Sequence, residues 1–485
     1  MAPRQPSGTV RLVWKPALRR PTFRTGNPVL LAAFSVWALL LGMLMLMLGN
    51  GLQGTLIGVR ANAEEFATTT IGVVMSGYFI GFLAGSKLTA PLLGQVGHLR
   101  VFAALASLVS VAILVHSLLI EPWIWFLMRI LTGFAFAGIY IVTESWLNDR
   151  VSNEHRGGLL SIYMIISYAG LTFGQLLLNV ADPGLADLFI LVAILVSLAA
   201  VPILLVVTQA PVVQAWSPLG PRQLFRESHL GAVGACASGV AIGAVLSMGP
   251  VFAASIGKSV QEISIFMAAI IGAGAVGQWP IGRISDRFDR RRVILWVSLA
   301  GGGGALLGGA VTLFAGPWTS ALLIGIAVII GAAGLALYPL IVAYTNDRVR
   351  PDQMVGAGSS LIMLYGVGAI LGPLITGQFM DQFGPAGFFW LQAGILVALG
   401  AYTGWRIERG RPVVVDEQIH WGQAPGRTPS LLPAWIKSIG QRDRMATAGP
   451  PATSNPDEPA PDTLDEEPDL RPADDTASDD TGAPR

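Results

Sequence analysis

The stretch PWIWFLMRILTGFAF (122–136) places Arg129 seven residues after a proline, with apolar neighbours on both sides. A guanidinium does not deprotonate at ordinary pH. It can hold an anion, tune a nearby acid, or act as a hydrogen-bonding hub between helices. Glu144 follows 15 residues later, about 22 Å away along a straight helix, too far for a direct pair. Its expected use is a tie to Lys87 or Arg100, with proton carriage the lesser alternative. His116 is expected at a helix interface rather than in a proton path. Among uncharged groups, Asn50, Gln53, Tyr163, Ser167, Gln175, Tyr338 and Tyr365 have the chemistry to hydrogen-bond a small molecule, and equally to join helices. The chain has no Gly-x-x-x-x-Gly-Lys stretch and no paired histidines or cysteines at metal spacing, so no catalytic site, metal or cofactor is expected. The single cysteine, Cys236, excludes a disulfide framework.

The elements that carry these residues follow from composition. Of 485 residues, 53% are hydrophobic and only 13% charged, and mean hydropathy is +0.60. That is too little polar material to solvate a globular surface of this size. Apolar blocks of about 20 residues, the length that crosses a bilayer as helix, fill the chain from Pro28 to Arg406. About twelve begin near Val29, Thr69, Val101, Trp123, Leu159, Ala186, Leu230, Ile263, Val293, Ser320, Val355 and Phe388. The chain therefore reads as an all-α integral membrane protein whose partner is the lipid bilayer. Nothing calls for nucleic acid, and a monomer is expected. The first apolar run, 29–57, outlasts a signal peptide's apolar region of about 7 to 15 residues and reads as a retained span. Met43, Met45 and Met47 in that run are expected to serve packing or lipid contact.

Loop charge sets an expected orientation. Alternate loops, together with the residues before Pro28, carry 22 lysines and arginines, while the loops on the other side carry only Arg60 and Lys258. The positive-inside rule puts both termini in the cytoplasm of a bacterial inner membrane protein. The expected organisation is a basic amino terminus (1–28), six spans (29–207), a cytoplasmic linker (208–229), six more spans (230–406) and a tail (407–485). Eleven acidic residues from Asp457 to Asp480 mark that tail as disordered, and 431–445 reads either as a surface helix or as linker.

The two sets of spans are related. Asn-Asp-Arg-Val occurs at 148–151 and again at 346–349, an offset of 198 that also pairs Gly133 with Gly331, Tyr140 with Tyr338, Gly158 with Gly356, Ser161 with Ser359, Gly170 with Gly368 and Gly174 with Gly372. Six spans separate corresponding elements, so the repeats are parallel. Asp149 or Asp347 is expected to cap the following helix, with Arg150 or Arg348 tying it to a neighbouring loop. At an offset of 192, GRISDRFDRRRV (282–293) aligns with APLLGQVGHLRV (90–101).

GRISDRFDRRR resembles the loop signature joining spans 2 and 3 of each half in the major facilitator superfamily. The first copy is worn, with Gly94 and Gln95 at the positions of Asp286 and Arg287, and only Gly97 and Arg100 recognisable. Arg129 with Gly133 and Gly138 resembles the family's fourth-span motif. Gly368, Gly372 and Pro373 resemble part of the glycine-proline motif of its antiporters, displaced to span 11. The likeness covers 29–406, and Glu-Ser-Trp-Leu-Asn at 144–148 resembles a bacterial branch of the superfamily. The resemblance implies two six-helix bundles and a secondary active transporter working by alternating access. Export of an amphipathic or weakly polar small molecule is the expected activity, with proton coupling as an option. Uptake or exchange of a small anionic metabolite and a non-transporting sensor are the alternatives. Lys87, Arg100, Glu144, Gly282, Asp286, Arg287, Arg290 and Arg291 are the expected conformational latch; alternatively the basic cluster only holds its loop inside.

Overall fold

A computed structural model describes residues 36–150, 156–205, 220–314, 318–350 and 353–409. All lie in one compact unit. The proposed amphipathic segment at 431–445, the acidic tail and Val151 of the first Asn-Asp-Arg-Val lie outside the described residues.

Twelve helices among the described residues are long and apolar enough to span a membrane. They are α1 (Trp37–Ala63), α2 (Thr68–Val96), α3 (His98–Leu118), α4 (Pro122–Arg150), α5 (Arg156–Leu176) and α6 (Asp187–Leu205), then α7 (His229–Ser255), α8 (Val260–Arg287), α9 (Arg290–Thr312), α10 (Thr319–Asn346), α11 (Met354–Phe383) and α12 (Gly387–Arg409). A short helix, Pro221–Glu227, precedes α7. The starts agree with the apolar blocks to within three residues from α2 onward; α1 is described only from Trp37. Several helices exceed 20 residues because the apolar stretch continues into polar ends such as Ile284–Arg287, whose backbone stays internally bonded.

Packing repeats the sequence repeat. In the first bundle α2 lies on α4, α1 on α5 and α6, and α3 on α4 and α6; in the second, α8 lies on α10, α7 on α11 and α12, and α9 on α10 and α12. The paired glycines sit at these crossings. A Cβ on Gly133 would strike the carbonyl oxygen of Tyr78, and one on Gly331 would strike that of Ile270, the residue 192 positions after Tyr78. Gly174 meets the Leu48 carbonyl and Gly372 the Val240 carbonyl in the same relation. Gly51 meets Leu171, and Gly243 meets Ala369. Lipid gives helices no hydrophobic reason to associate, so close backbone approach at small residues holds each bundle together. Gly368 and Gly372 thus pack α11 on α7, matching Gly170 and Gly174 on α5.

The bundles meet through α2 with α11 and through α5 with α8, again a matched pair. Gly72 abuts Pro373 and Gly377, Gly58 abuts Pro250 and Val251, and Leu83 packs against Gly366, 3.2 Å from where a Cβ would stand. Asn179 donates to Ser264 at 2.8 Å, and Gln278 donates to the Tyr168 hydroxyl at 3.0 Å. All these contacts lie at mid-depth or toward the face away from the basic loops. Among the described residues these contacts close the opposite face.

Candidate functional site

Five of the eight tyrosines gather at mid-depth, where the bundles face each other. Tyr78 and Tyr140 come from the first bundle's α2 and α4, Tyr168 from α5, and Tyr338 and Tyr365 from α10 and α11. Tyrosine ordinarily settles at membrane interfaces, so this placement requires other partners for the hydroxyls. Asn50 of α1 lies near the Tyr78 and Tyr140 hydroxyls, and Tyr140 donates to the Met47 sulfur at 3.0 Å. The Tyr338 and Tyr365 rings sit 4.6 Å apart at 52°. Phe82 extends the aromatic wall, 6.1 Å from both Tyr78 and Tyr140. Four of the five tyrosines stay half-buried although they stand deep in their helices; only Tyr338 is fully buried. They line the cleft between the bundles.

Arg129 sits behind this wall. It is 4% exposed, its guanidinium carbon lies 4.6 Å above the Tyr78 ring, and its Nε has no hydrogen-bond partner. Among the described residues it forms no ion pair. Gln53, one turn from Asn50 on α1, is fully buried with both ends of its amide unpartnered. Leaving such groups unsatisfied costs about 1–3 kcal/mol each.

The basic face carries a second cluster. Arg290 is nearly buried, and its Nη1 donates to both carboxylate oxygens of Asp347 at 3.0 and 2.9 Å, while Nη2 reaches Asp286 at 3.4 Å. Asp289 precedes α9, accepts from the Arg291 backbone N–H at 3.0 Å and pairs with the Arg291 side chain at 2.7 Å. Burial pushes the Asp289 carboxyl up, but these hydrogen bonds and the charges of Arg291 and Arg348 prevail and hold it below the usual carboxylate range. Gly282 is buried in α8, its carbonyl accepting from Ser285.

A family model for the Major Facilitator Superfamily matches residues 39–307 and 231–437. An MFS-type transporter of Escherichia fergusonii, YcaD, is 33% identical over 354 residues, covering 72% of this chain and 89% of that protein. The chain belongs to the major facilitator superfamily. A second relative, the MFS-type transporter Ent638_1421 of Enterobacter sp. strain 638, is 32% identical over the same shares. Two solved structures share the superfamily fold. The nucleoside transporter NupG aligns at a TM-score of 0.64 and 16% identity over 77% of this chain and 98% of its own. A bacterial homologue of the human lysosomal transporter Spinster, inward-facing and occupied, aligns at 0.63 and 16% identity over 81% and 99%.

Seen as a major facilitator, the chain distributes its candidate residues unevenly. Asn50, Arg129, Tyr338 and Tyr365 belong to or border the central cluster. Gln175 instead joins α5 to α1, accepting from Thr55 and donating to Gly51 at 2.8 Å, and Ser167 bonds the Tyr163 carbonyl of its own helix at 2.8 Å. Tyr163 is buried in the first bundle's core. The three methionines pack, with Met43 and Met47 buried. His116 is fully buried against Trp125, the interface role expected of it.

One expectation about the Asn-Asp-Arg-Val repeat needs correction, and the worn loop makes a contact of its own. Lys87 and Arg100 are exposed. At the position 192 residues before Arg290 stands His98, whose Nε2 lies 2.9 Å from the Ser145 hydroxyl and whose ring stacks on Trp146. The worn loop thus docks on α4 through an imidazole, and Gly97 turns it at φ 88° where a side chain would be strained. Asp347 is the tie, not Arg348, because Arg290 reaches it from the neighbouring loop. Arg348 lies over Tyr344 at 3.8 Å, and the cap position of α11 is held by Gln353 with no side-chain bond. Arg287 is exposed. Sequence reasoning missed Tyr78, Tyr168 and Gln278 as site residues and used Tyr140 only for the repeat. Tyrosines out of place at mid-span were the available signal.

Proposed function

We propose that this major facilitator exports an amphipathic or weakly polar compound by alternating access, binding it at the tyrosine cluster. The observation that carries this reading is the sharing of those tyrosines between both bundles in a cleft closed on one face. Phenol rings offer flat apolar surface with a polar edge, which suits a molecule of mixed character. The cluster itself holds no carboxylate that would demand a cation. A second reading, uptake or exchange of a small anionic metabolite, is favoured by the buried Arg129 without an ion pair.

Flux in proteoliposomes tests both readings, with a panel of labelled neutral amphipaths and small organic anions, run with and without an imposed pH gradient. Neutral compounds are expected to move, and Tyr338→Ala or Tyr365→Ala to slow them by about tenfold, the worth of one aromatic contact. Flux confined to anions would favour the second reading. No flux of any compound through folded protein would leave a sensor on the same fold.

The orientation is proposed from loop charge, with both termini cytoplasmic in the bacterial inner membrane. In a Cys236→Ala background, a cysteine replacing Ser217 in the linker is expected to resist an impermeant thiol reagent applied to intact cells. Efficient labelling from outside would invert the arrangement.

A further inference from the structure

We propose that Asp381 of α11 is a gating residue that holds the opposite face shut by supplying the amino-terminal cap that α2 lacks. Its carboxylate accepts from the Thr68 and Thr69 hydroxyls and from the Thr69 backbone N–H at 3.1 Å. Thr68 also donates to the Gly377 carbonyl at 3.2 Å. All of these bonds cross from one bundle to the other.

The repeat shows why this contact is a device and not ordinary packing. The first four amides of a helix need partners from outside it. In the second bundle, α8 is self-sufficient: Ser259 accepts from Glu262 N–H, and the Glu262 side chain returns to the Ser259 N–H, a complete capping box. The residue 192 positions earlier is Ala67, which has no capping atom, and Thr70 stands where Glu262 does. The cap position of α2 accordingly has no side-chain bond of its own. Its cap is borrowed from Asp381, and the borrowed cap exists only while α2 and α11 touch. Opening the opposite face separates the two helices and strips these amides of their anion. The closed form is favoured by the value of one cap, and the close approach of Gly72 and Gly377 at the same seam lets the carboxylate reach. Asp381 faces the same side in either form, so it gates without carrying charge across.

The inference rests on alternating access but not on any substrate, so distances measured without substrate separate its failure from that of the transport reading. In a Cys236→Ala background, nitroxide pairs at Leu185→Cys with Trp318→Cys report the opposite face. Pairs at Val96→Cys with Phe288→Cys report the basic face; all four positions are exposed loop or helix-end sites. Asp381→Ala, which leaves no acceptor, is expected to lengthen the first distance, shorten the second and move the ratio of the two forms by about tenfold, the weight of one cap. Ala67→Ser with Thr70→Glu keeps Asp381 but gives α2 a local box, and is expected to shift the populations the same way without loss of thermal stability. Unchanged distances in the folded Ala variant overturn the proposal. If that variant does not fold, unchanged distances in the capping-box variant overturn it.

Discussion

Arg290→Met is expected to destabilise the folded protein by about 3–5 kcal/mol, the cost of stranding a buried charge. Arg290 and Asp347 are each only 2% exposed at their side chains, so removing the guanidinium leaves a carboxylate with no water and one partner fewer. Asp347→Leu is expected to cost a similar amount for the mirror reason. The double variant should recover most of the loss, because two apolar groups of similar volume need neither desolvation nor pairing. Thermal unfolding in detergent, read by circular dichroism, measures all three. Additive losses in the double variant would mean that the two residues do not act as a pair. The double variant also separates fold from gating. If the pair only secures α9 to α10, nitroxide distances at Val96 and Phe288 stay as in the parent; if it biases the basic face, they shift in a protein of near-parent stability.

Hydropathy and the glycine repeat delivered the helices and their pairing within each bundle, for a physical reason. Span length is fixed by the bilayer, and close crossings at Gly133 and Gly331 or Gly174 and Gly372 demand the same small residue in each copy. Contacts between the bundles left no comparable trace. Gln278 and Tyr168 meet between the bundles, as do Asp381 and Thr69; the two seams are equivalent in the repeat, but different side chains fill them, Asn179 and Ser264 standing where Gly377 and Gly72 do. The Asn-Asp-Arg-Val repeat shows the same limit. Its recurrence announced a structural tie, yet whether Asp347 or Arg348 makes it depends on Arg290 arriving from a loop 57 residues away. His98 illustrates the converse: once the aspartate and arginine of the worn loop are lost, only three-dimensional placement shows what replaced them.

Arg129→Lys is expected to reduce transport by about tenfold or more while the protein still folds. Lysine keeps the charge but has neither the planar face that lies over Tyr78 at 4.6 Å nor the fixed fork of donors, and a desolvated cation–ring contact alone is worth about 2 kcal/mol. Arg129→Gln, which removes the charge, should be worse, at about a hundredfold, if an anion or a coupling group draws on the guanidinium. The two variants separate three roles when flux and thermal unfolding are measured on the same preparations. A graded loss of flux at parent stability places Arg129 in the transport cycle. Normal flux in both leaves it a tie between α2 and α4. A collapse of stability in both gives it to packing, where the burden falls on the tight crossing that Gly77 makes with the Phe126 carbonyl and the Arg129 Cβ, at 2.8 and 3.2 Å from a Cβ placed there. The unpartnered Nε leaves a donor free for a substrate or coupling group, and the flux measurement decides whether it is used.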